Sequence, residues 1–437
     1  MNMKTLNCLV LLLLGCSNAD SQEQVSNERD AWLWPFSKNS IWNQPIGSDA
    51  VYTEVNFENA SNVGVDIQHI LALNFEDPER AVVNAISFEE DRCGGTDNLG
   101  FTIKVPDTWV VPDAGDSPYG LTPNDNFAFR LSNSDIVFEG SQISRCMEAG
   151  PVHLPSWMQY PDNRNYQSIK GDGLAGGGQG ASGMSALGGT IRKGELISEI
   201  PIRHAIKINP WAAKYCFYSE EIKGYKWPAN DADNYASTEY KGTNQEVVMG
   251  SLFAIPPQVT PESVGLMTVA GEKLFFAMQN YGVYFTEDAA WDTWDIIVER
   301  DSELEFEEAY GFSMSSIIWK DELNKLMKAL AVISNNSIDQ IGGGGAPLQP
   351  LAPDFQEHSL SSETFGKKDF KMFPNPLKKD FISFDTQVSS VEIFTVQGVL
   401  MNSFTDVQAV HLQLRPGIYI VKISKGTETI AKQLVKQ

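Results

Sequence analysis

From about Trp32 to Gly311 the chain reads as short β-prone runs, such as Phe101-Thr-Ile-Lys-Val105 and Asp135-Ile-Val-Phe-Glu139, separated by Gly, Pro, Asn and Asp. Apolar alternation bounded by turn formers predicts strands. Helical spacing is confined to two stretches. In Gly271–Tyr281 the residues Leu274, Phe275, Met278 and Tyr281 share one face, which predicts a short helix; Asp321–Ile333 predicts a longer one on the outside of the core. The pattern as a whole predicts a mostly β protein, with a β-sandwich or jelly-roll-like main domain over 31–338 and a few short helices.

Past that domain, Gly342-Gly-Gly-Gly345 and the Pro-rich stretch ending at Asp354 cannot build a core, so 339–367 is expected to be a linker. The chain restarts with Lys371-Met-Phe-Pro-Asn-Pro376, the run Val391-Glu-Ile-Phe-Thr395 with its Gly398 turn, and Leu414-Arg-Pro-Gly-Ile-Tyr-Ile-Val421. In that order these segments resemble the type IX secretion sorting domain, here over 368–437. The resemblance implies a small Ig-like β-sandwich read by the type IX secretion machinery. Charge marks the same boundary: 371–437 holds eight basic and five acidic residues, while the chain as a whole is at −23.

The front end reads as a signal peptide over 1–19. Lys4 provides the positive flank, Leu9–Leu14 an apolar run too short to span a bilayer, and Ser17-Asn-Ala19 a small-residue cleavage site. Leu13-Leu-Gly-Cys16 also resembles a lipobox, which implies lipidation of Cys16. Either route predicts a secreted or outer-membrane cell-surface protein with no transmembrane span in the mature chain. Export permits a disulfide among Cys93, Cys146 and Cys216. Cys93 with Cys146 is the leading pair, although spacing alone does not fix it.

With 437 residues, 42% of them apolar, the chain can bury a sizeable core. A net charge of −23 excludes a general nucleic-acid binder, which needs a basic footprint. A polyanionic substrate would need a local basic patch against this background.

Candidate chemistry lies in three places. The glycine-rich run Gly171–Gly189 lacks the GK[ST] of a phosphate loop and reads either as a substrate-lining loop or as a crossing over a sheet edge. In Ile202–Asn209, alternation sets Ile202, His204, Ile206 and Ile208 on one face and Arg203, Ala205, Lys207 and Asn209 on the other. Arg203 and Lys207, with Arg192 and Lys193, are candidates for the basic patch; a solvated sheet face is the alternative. The third place is Gln279–Tyr284 leading to Glu287, Asp288, Trp291 and Asp292.

A histidine and a tyrosine can move the two protons of a β-elimination while cations neutralise the uronate. The leading expectation is therefore a polysaccharide lyase on a uronate polymer such as ulvan or alginate. His204 and Tyr284 would be catalytic, and Arg192, Arg203, Lys207, Gln279, Trp227 and Trp291 would bind substrate. One alternative is a glycoside hydrolase using two of Glu195, Asp231, Asp233, Asp288 and Asp292. Another is a non-enzymatic glycan-binding surface protein, with Trp211, Tyr225 and Trp294 joining Trp227 and Trp291 as stacking candidates.

No catalytic cofactor or metal is expected. The loop Asp231-Ala-Asp-Asn234 has carboxylates for a structural Ca2+ but no EF-hand spacing. The segments Phe36–Ile46, Gly180–Leu196, Ile202–Lys207, Lys226–Ala229 and Asn280–Tyr284 resemble a broad group of exported bacterial proteins of uncertain biochemistry. Exported chains with type IX tails are frequently polysaccharide-degrading enzymes, so the resemblance implies a polysaccharide partner without assigning residues.

Overall fold

A computed structural model describes residues 29–88, 91–113, 124–132, 134–159, 165–355, 371–395, 400–425 and 428–437. The expected leader, with Cys16, lies outside the described residues. The chain divides into two units, 1–356 and 357–437.

The main unit begins with β1 (Tyr52–Glu54), β2 (Asn62–Ala72), β3 (Glu79–Asn84), β4 (Asn98–Lys104), β5 (Asn126–Arg130), β6 (Ile136–Gly140), β7 (Val152–Leu154) and β8 (Tyr166–Ser168). It continues with β9 (Ile206–Asn209), β10 (Leu252–Ala254), β11 (Val283–Phe285), β12 (Thr293–Glu299) and β13 (Ala331–Ile333). Ten of these form one sheet in the order β1-β13-β10-β11-β9-β12-β2-β5-β6-β8, and β4-β3-β7 form a second. Three pairs in the large sheet are parallel: β11 with β9, β12 with β2, and β2 with β5. The mostly β reading thus resolves into a mixed α/β domain built on a large mixed sheet.

Helices α1 (Ala212–Tyr215), α2 (Ala236–Glu239) and α3 (Pro261–Val264) are single turns, whereas α4 (Val269–Asn280), α5 (Ser302–Tyr310) and α6 (Ile317–Lys328) are longer. The predicted stripe buries Leu274, Phe275 and Met278 of α4, while Thr268 caps its N-terminus by accepting from Gly271 N at 3.0 Å. Buried Glu322 of α6 accepts from the backbone of Met267 and Thr268, so the two helices lock at that end. The second predicted helix ends earlier than its spacing suggested. Lys328 closes α6, and Ala331-Val-Ile333 becomes β13 because it completes the ladders to β1 and β10.

The expected linker differs more. Gly342–Gly345 is stitched to the start of the domain: Gly47 N donates to Gly342 O at 3.0 Å and Ser48 N to Ala346 O at 2.8 Å. Gly342 and Gly343 are buried. Absent side chains let the two backbones approach closely, so the run serves as a seam. Arg29 Nη1 then donates to Pro353 O at 3.2 Å and Lys38 pairs with Asp354 at 2.7 Å, which ties both ends of the unit together.

Cys93 and Cys146 form a disulfide with Cα atoms 6.2 Å apart, and Cys216 is a buried free thiol. The bond closes a separation of 53 residues. Replacing both cysteines by serine is expected to cost about 2 to 4 kcal/mol, read as a lower denaturant midpoint by tryptophan fluorescence. An unchanged midpoint would contradict this.

The second unit is one antiparallel sheet of β14 (Met372–Phe373), β15 (Phe381–Thr395), β16 (Leu400–His411), β17 (Gly417–Lys425) and β18 (Glu428–Lys436). Register shifts within β15 bend it, and Leu377, Val391, Ile393, Val421, Ile423 and Leu434 are buried in its core.

Candidate functional site

One face of the large sheet carries a row of polar side chains. Asp66 and Gln68 come from β2, Asp295 from β12, Lys207 and Asn209 from β9, Asn126 from β5 and Glu139 from β6. The registers Ile297 with Asp66, Asp295 with Asn209, Gln68 with Asn126 and Ala128 with Glu139 put them on the same side.

The glycine-rich segment 171–189 lies over this row. Glu139 accepts from Gln167 Nε2 at 2.9 Å, Ser185 Oγ at 3.0 Å and Ala186 N at 2.7 Å. Lys207 Nζ donates to the carbonyls of Ser185 and Ala186 at 3.0 and 2.8 Å. In the orientation that satisfies both ends of its amide, Gln179 accepts from Lys207 Nζ at 3.0 Å and donates to Glu287 Oε2 at 3.0 Å. The ammonium therefore has three acceptors, and Lys207 is fully buried.

Three carboxylates stand where this cover meets the sheet. Asp66 accepts from Asn209 Nδ2 at 2.9 Å, and Asn209 in turn accepts from Thr286 Oγ1 at 3.2 Å. Asp295 accepts from Thr293 Oγ1 at 2.9 Å and Glu287 from Asn126 Nδ2 at 3.3 Å. Glycine at two neighbours leaves room for the carboxylates as they stand. A Cβ on Gly64 would lie 2.5 Å from Asp295 Oδ1, and one on Gly180 2.7 Å from Glu287 Oε1. Gly180 is exposed and Asp295 partly so, while Asp66 and Glu287 are nearly buried, so the row opens to solvent at this margin.

Burial governs the electrostatics. It raises Asp66 to about 7, helped by the neighbouring Asp295 charge, and raises Asp295 and Glu139 to about 7 as well. Glu287 is held well above the carboxylate range by burial and then by Asp66 and Asp233. Lys207 is pulled down to about 7 by burial against the attraction of Glu139, Asp66 and Glu287. The arrangement can hold protons on carboxyl groups near neutral pH and pass them to a ligand at the open margin.

The residues expected from sequence lie elsewhere or are engaged. β9 does run beside β11, but Tyr284 is fully buried, registers with Lys207 and packs edge-on to Trp42 at 5.5 Å. Burial holds its phenol well above the usual range. His204 is 7% exposed. Its Nδ1 lies 2.9 Å from Ala205 O and its Nε2 3.1 Å from Glu195 Oε2. Burial opposes charge on this pair, yet each partner stabilises the other's charged form, so His204 is raised and Glu195 lowered.

The basic residues form no common patch. Arg192 is buried on Glu299 at 2.7 Å, Arg203 is exposed over the Trp34 ring at 5.2 Å, and Lys207 is sealed in the polar row. Two-sided burial of β9 is the reason, because a polar strand face under a covering loop is not solvated. Gln279 donates to Pro256 O and Val259 O at 3.1 Å, Trp227 is half-buried against the core, and Trp291 is exposed. Trp294 belongs to the core, whereas Trp211 and Tyr225 are half-buried.

Among the alternative carboxylates, Asp288 accepts from Ala212 N at 2.8 Å and Tyr235 Oη at 3.1 Å, and Asp292 accepts from Ser61 N at 3.2 Å. Asp233 accepts from Tyr240 Oη at 2.6 Å and is raised by burial to about 6. Asp231 accepts from Ala232 N at 2.9 Å. Among the described residues the one group with three clustered metal-ligand atoms is Cys93, Asp113 and Cys146, whose sulfurs are in the disulfide.

Sequence reading missed Asp66, Glu139 and Asp295, and left Glu287 without a role. Their signal is faint: Asp66 and Gln68 alternate with Val63, Val65 and Ile67, the ordinary pattern of a half-solvated strand.

Among the described residues no helix is long and apolar enough to cross a membrane. No curated protein matches the chain. Residues 371–437 match the family model described as the secretion system C-terminal sorting domain, so this chain carries a type IX sorting signal that directs it to the cell surface or beyond.

Proposed function

We propose that the main unit is a glycan-cleaving hydrolase, with Asp66 and Asp295 as its proton donor and its base or nucleophile and Glu287 beside them. The observation that carries this reading is that three carboxyls held above their usual range stand together where the covered polar row is partly exposed, at Asp295 and Gly180. A carboxylic acid that keeps its proton near neutrality is what protonation of a glycosidic oxygen needs.

The substrate follows from the charge. The site margin is acidic, and its cation, Lys207, is held behind it by three acceptors. A uronate polymer would meet repulsion there, so a neutral polysaccharide fits better than the polyanion a lyase would require. The buried states of His204 and Tyr284 give β-elimination less support than hydrolysis.

The test is to incubate the purified full chain with neutral and uronate polysaccharides while following reducing ends and the ultraviolet absorbance of unsaturated uronides. New reducing ends without that absorbance are expected. Absorbance that tracks cleavage, or product formation abolished by Tyr284→Phe, would overturn the proposal in favour of elimination.

Export is a separate matter and has a separate check. Deleting 371–437 is expected to remove the protein from the cell surface and medium while leaving it inside the envelope. Protease shaving of intact cells would contradict this by releasing the truncated chain as readily as the whole one.

A further inference from the structure

In the sorting unit, the segment Pro374-Asn-Pro-Leu377 covers the free edge of β18. Asn375 Nδ2 donates to Gln433 O at 2.6 Å, and its Oδ1 accepts from Val435 N at 2.9 Å. Leu377 N donates to Val435 O at 2.6 Å, and its carbonyl accepts from Gln437 N at 3.0 Å. Just beyond, Lys436 pairs with Asp380 at 2.9 Å. Prolines at 374 and 376 bring no N–H, so the asparagine side chain supplies bonds that a further strand would have made. The segment is thereby held from one side while its outer side faces solvent.

What this frame presents is largely apolar. Pro374, Pro376 and Phe381 line a groove of about 500 Å³ together with Asn375, Lys378 and Lys379. Phe381 is 47% exposed and the nearby Phe373 49%. Phe373 registers with Ser383, two residues along β15 from Phe381, so both rings stand on the same face of the sheet. Half-exposed rings on a backbone already fixed in place gain by being buried in a partner, and little ordering is left to oppose it. At the rim, Lys378 and Lys379 are exposed and have no acidic partner among the described residues.

The sorting signal implies a receptor in the secretion machinery, and charge narrows its chemistry. Residues 371–437 stand at +3 and the whole chain at −23, so 1–370 stand at −26. An acidic receptor is attracted to this groove and repelled by the protein in front of it, which separates signal from cargo. We propose that the groove over 374–381 is where the secretion machinery docks. Its receptor segment sets an apolar side chain against Phe381 and the two prolines and acidic residues against Lys378 and Lys379. The hydrolase reading stands or falls apart from this one, because export is measured by location and not by activity.

The test uses the full chain in its native host, comparing protein on the cell surface and in the medium with protein left inside the envelope. Phe373→Ser with Phe381→Ser, and Lys378→Glu with Lys379→Glu, are each expected to lower export tenfold or more. Lys378→Arg with Lys379→Arg is expected to leave it unchanged. Hydrogen exchange over 381–436 in the purified full chain checks that the unit stays folded, and the exposed lysine pair keeps the test readable if the phenylalanine pair does not fold. Normal export of either pair in folded form would overturn the docking site. So would loss of export in the arginine pair, which would rule out recognition by charge. Loss in Ile418→Ser with Ile420→Ser, both exposed on β17, while the groove variants pass would move the receptor to that strand and overturn the site as well.

Discussion

Asp66→Asn, Asp295→Asn and Glu287→Gln should each lower the release of reducing ends by about a hundred- to ten-thousand-fold, the range that acid and base groups contribute. Each change keeps the side-chain shape and removes the ability to hold and release a proton. The folded state should survive, because an uncharged amide is easier to bury than a carboxylate among other carboxylates. Thermal unfolding followed by tryptophan fluorescence checks this for the main unit, since all ten tryptophans precede residue 357.

Tyr284→Phe is the informative companion. It removes a fully buried hydroxyl that meets the Asn336 side chain only outside good hydrogen-bonding geometry, so activity and stability should stay close to wild type. If all three amide variants remain active, the acidic margin is not the catalytic centre. If the tyrosine variant alone loses activity, proton transfer runs through the phenol after all.

How far the sequence could be read depended on which signal each part carries. The sorting domain was legible because its segments follow one another in fixed order, and β17 falls on the Pro-Gly-Ile-Tyr-Ile-Val segment that marked it; the Ig-like form expected for it was not, since its described strands make one bent antiparallel sheet. The α4 stripe was legible because four apolar residues at helical spacing have one economical solution, burial on one side. Ala331-Val-Ile333 shows the limit of that argument. Its apolar run fits a helix or a strand equally well locally, and the partners that decide, β1 and β10, are remote in sequence.

Gly342–Gly345 misled for a related reason. Composition reports what a glycine run lacks, a core of its own, but not that a distant backbone fills the space it leaves. The acidic row was hidden more deeply. Alternation in β2 identifies two faces, yet whether the polar face meets water or a covering loop depends on where 171–189 crosses, and that crossing is set by contacts such as Ser185 and Ala186 with Glu139. Only the covered arrangement raises the carboxyls, so neither the site nor its chemistry could be read from β2 alone.

The largest expected loss of stability comes from Lys207→Met, which removes the cation nearest Glu139, Asp66 and Glu287. Breaking a buried charge arrangement from one side typically costs about 3 to 5 kcal/mol, and the three acceptors at Ser185, Ala186 and Gln179 would also lose their donor. The size of the loss must depend on pH. Asp66, Glu139 and Asp295 are raised in the folded chain, so their protonated forms favour folding. Their contribution is full below the unfolded carboxylate range of about 4 and is lost as pH rises towards about 7.

Lys207 is lowered, so its own contribution runs the other way: it is present above the unfolded value of about 10.5 and is lost as pH falls towards about 7. Wild type is therefore expected to lose thermal stability between about pH 4 and 7. Without Lys207 the carboxyls lose their attracting charge, their folded values rise further, and the decline steepens and extends above neutrality. The variant should approach wild type at pH 5 and fall furthest below it near pH 7, where carboxylates and ammonium are charged together, at roughly 2 to 4 °C per kcal/mol. A constant gap between the two midpoints across that interval would mean that the lysine and the carboxyls do not share one electrostatic system, and the reading of the covered row as a reservoir of protons would go with it.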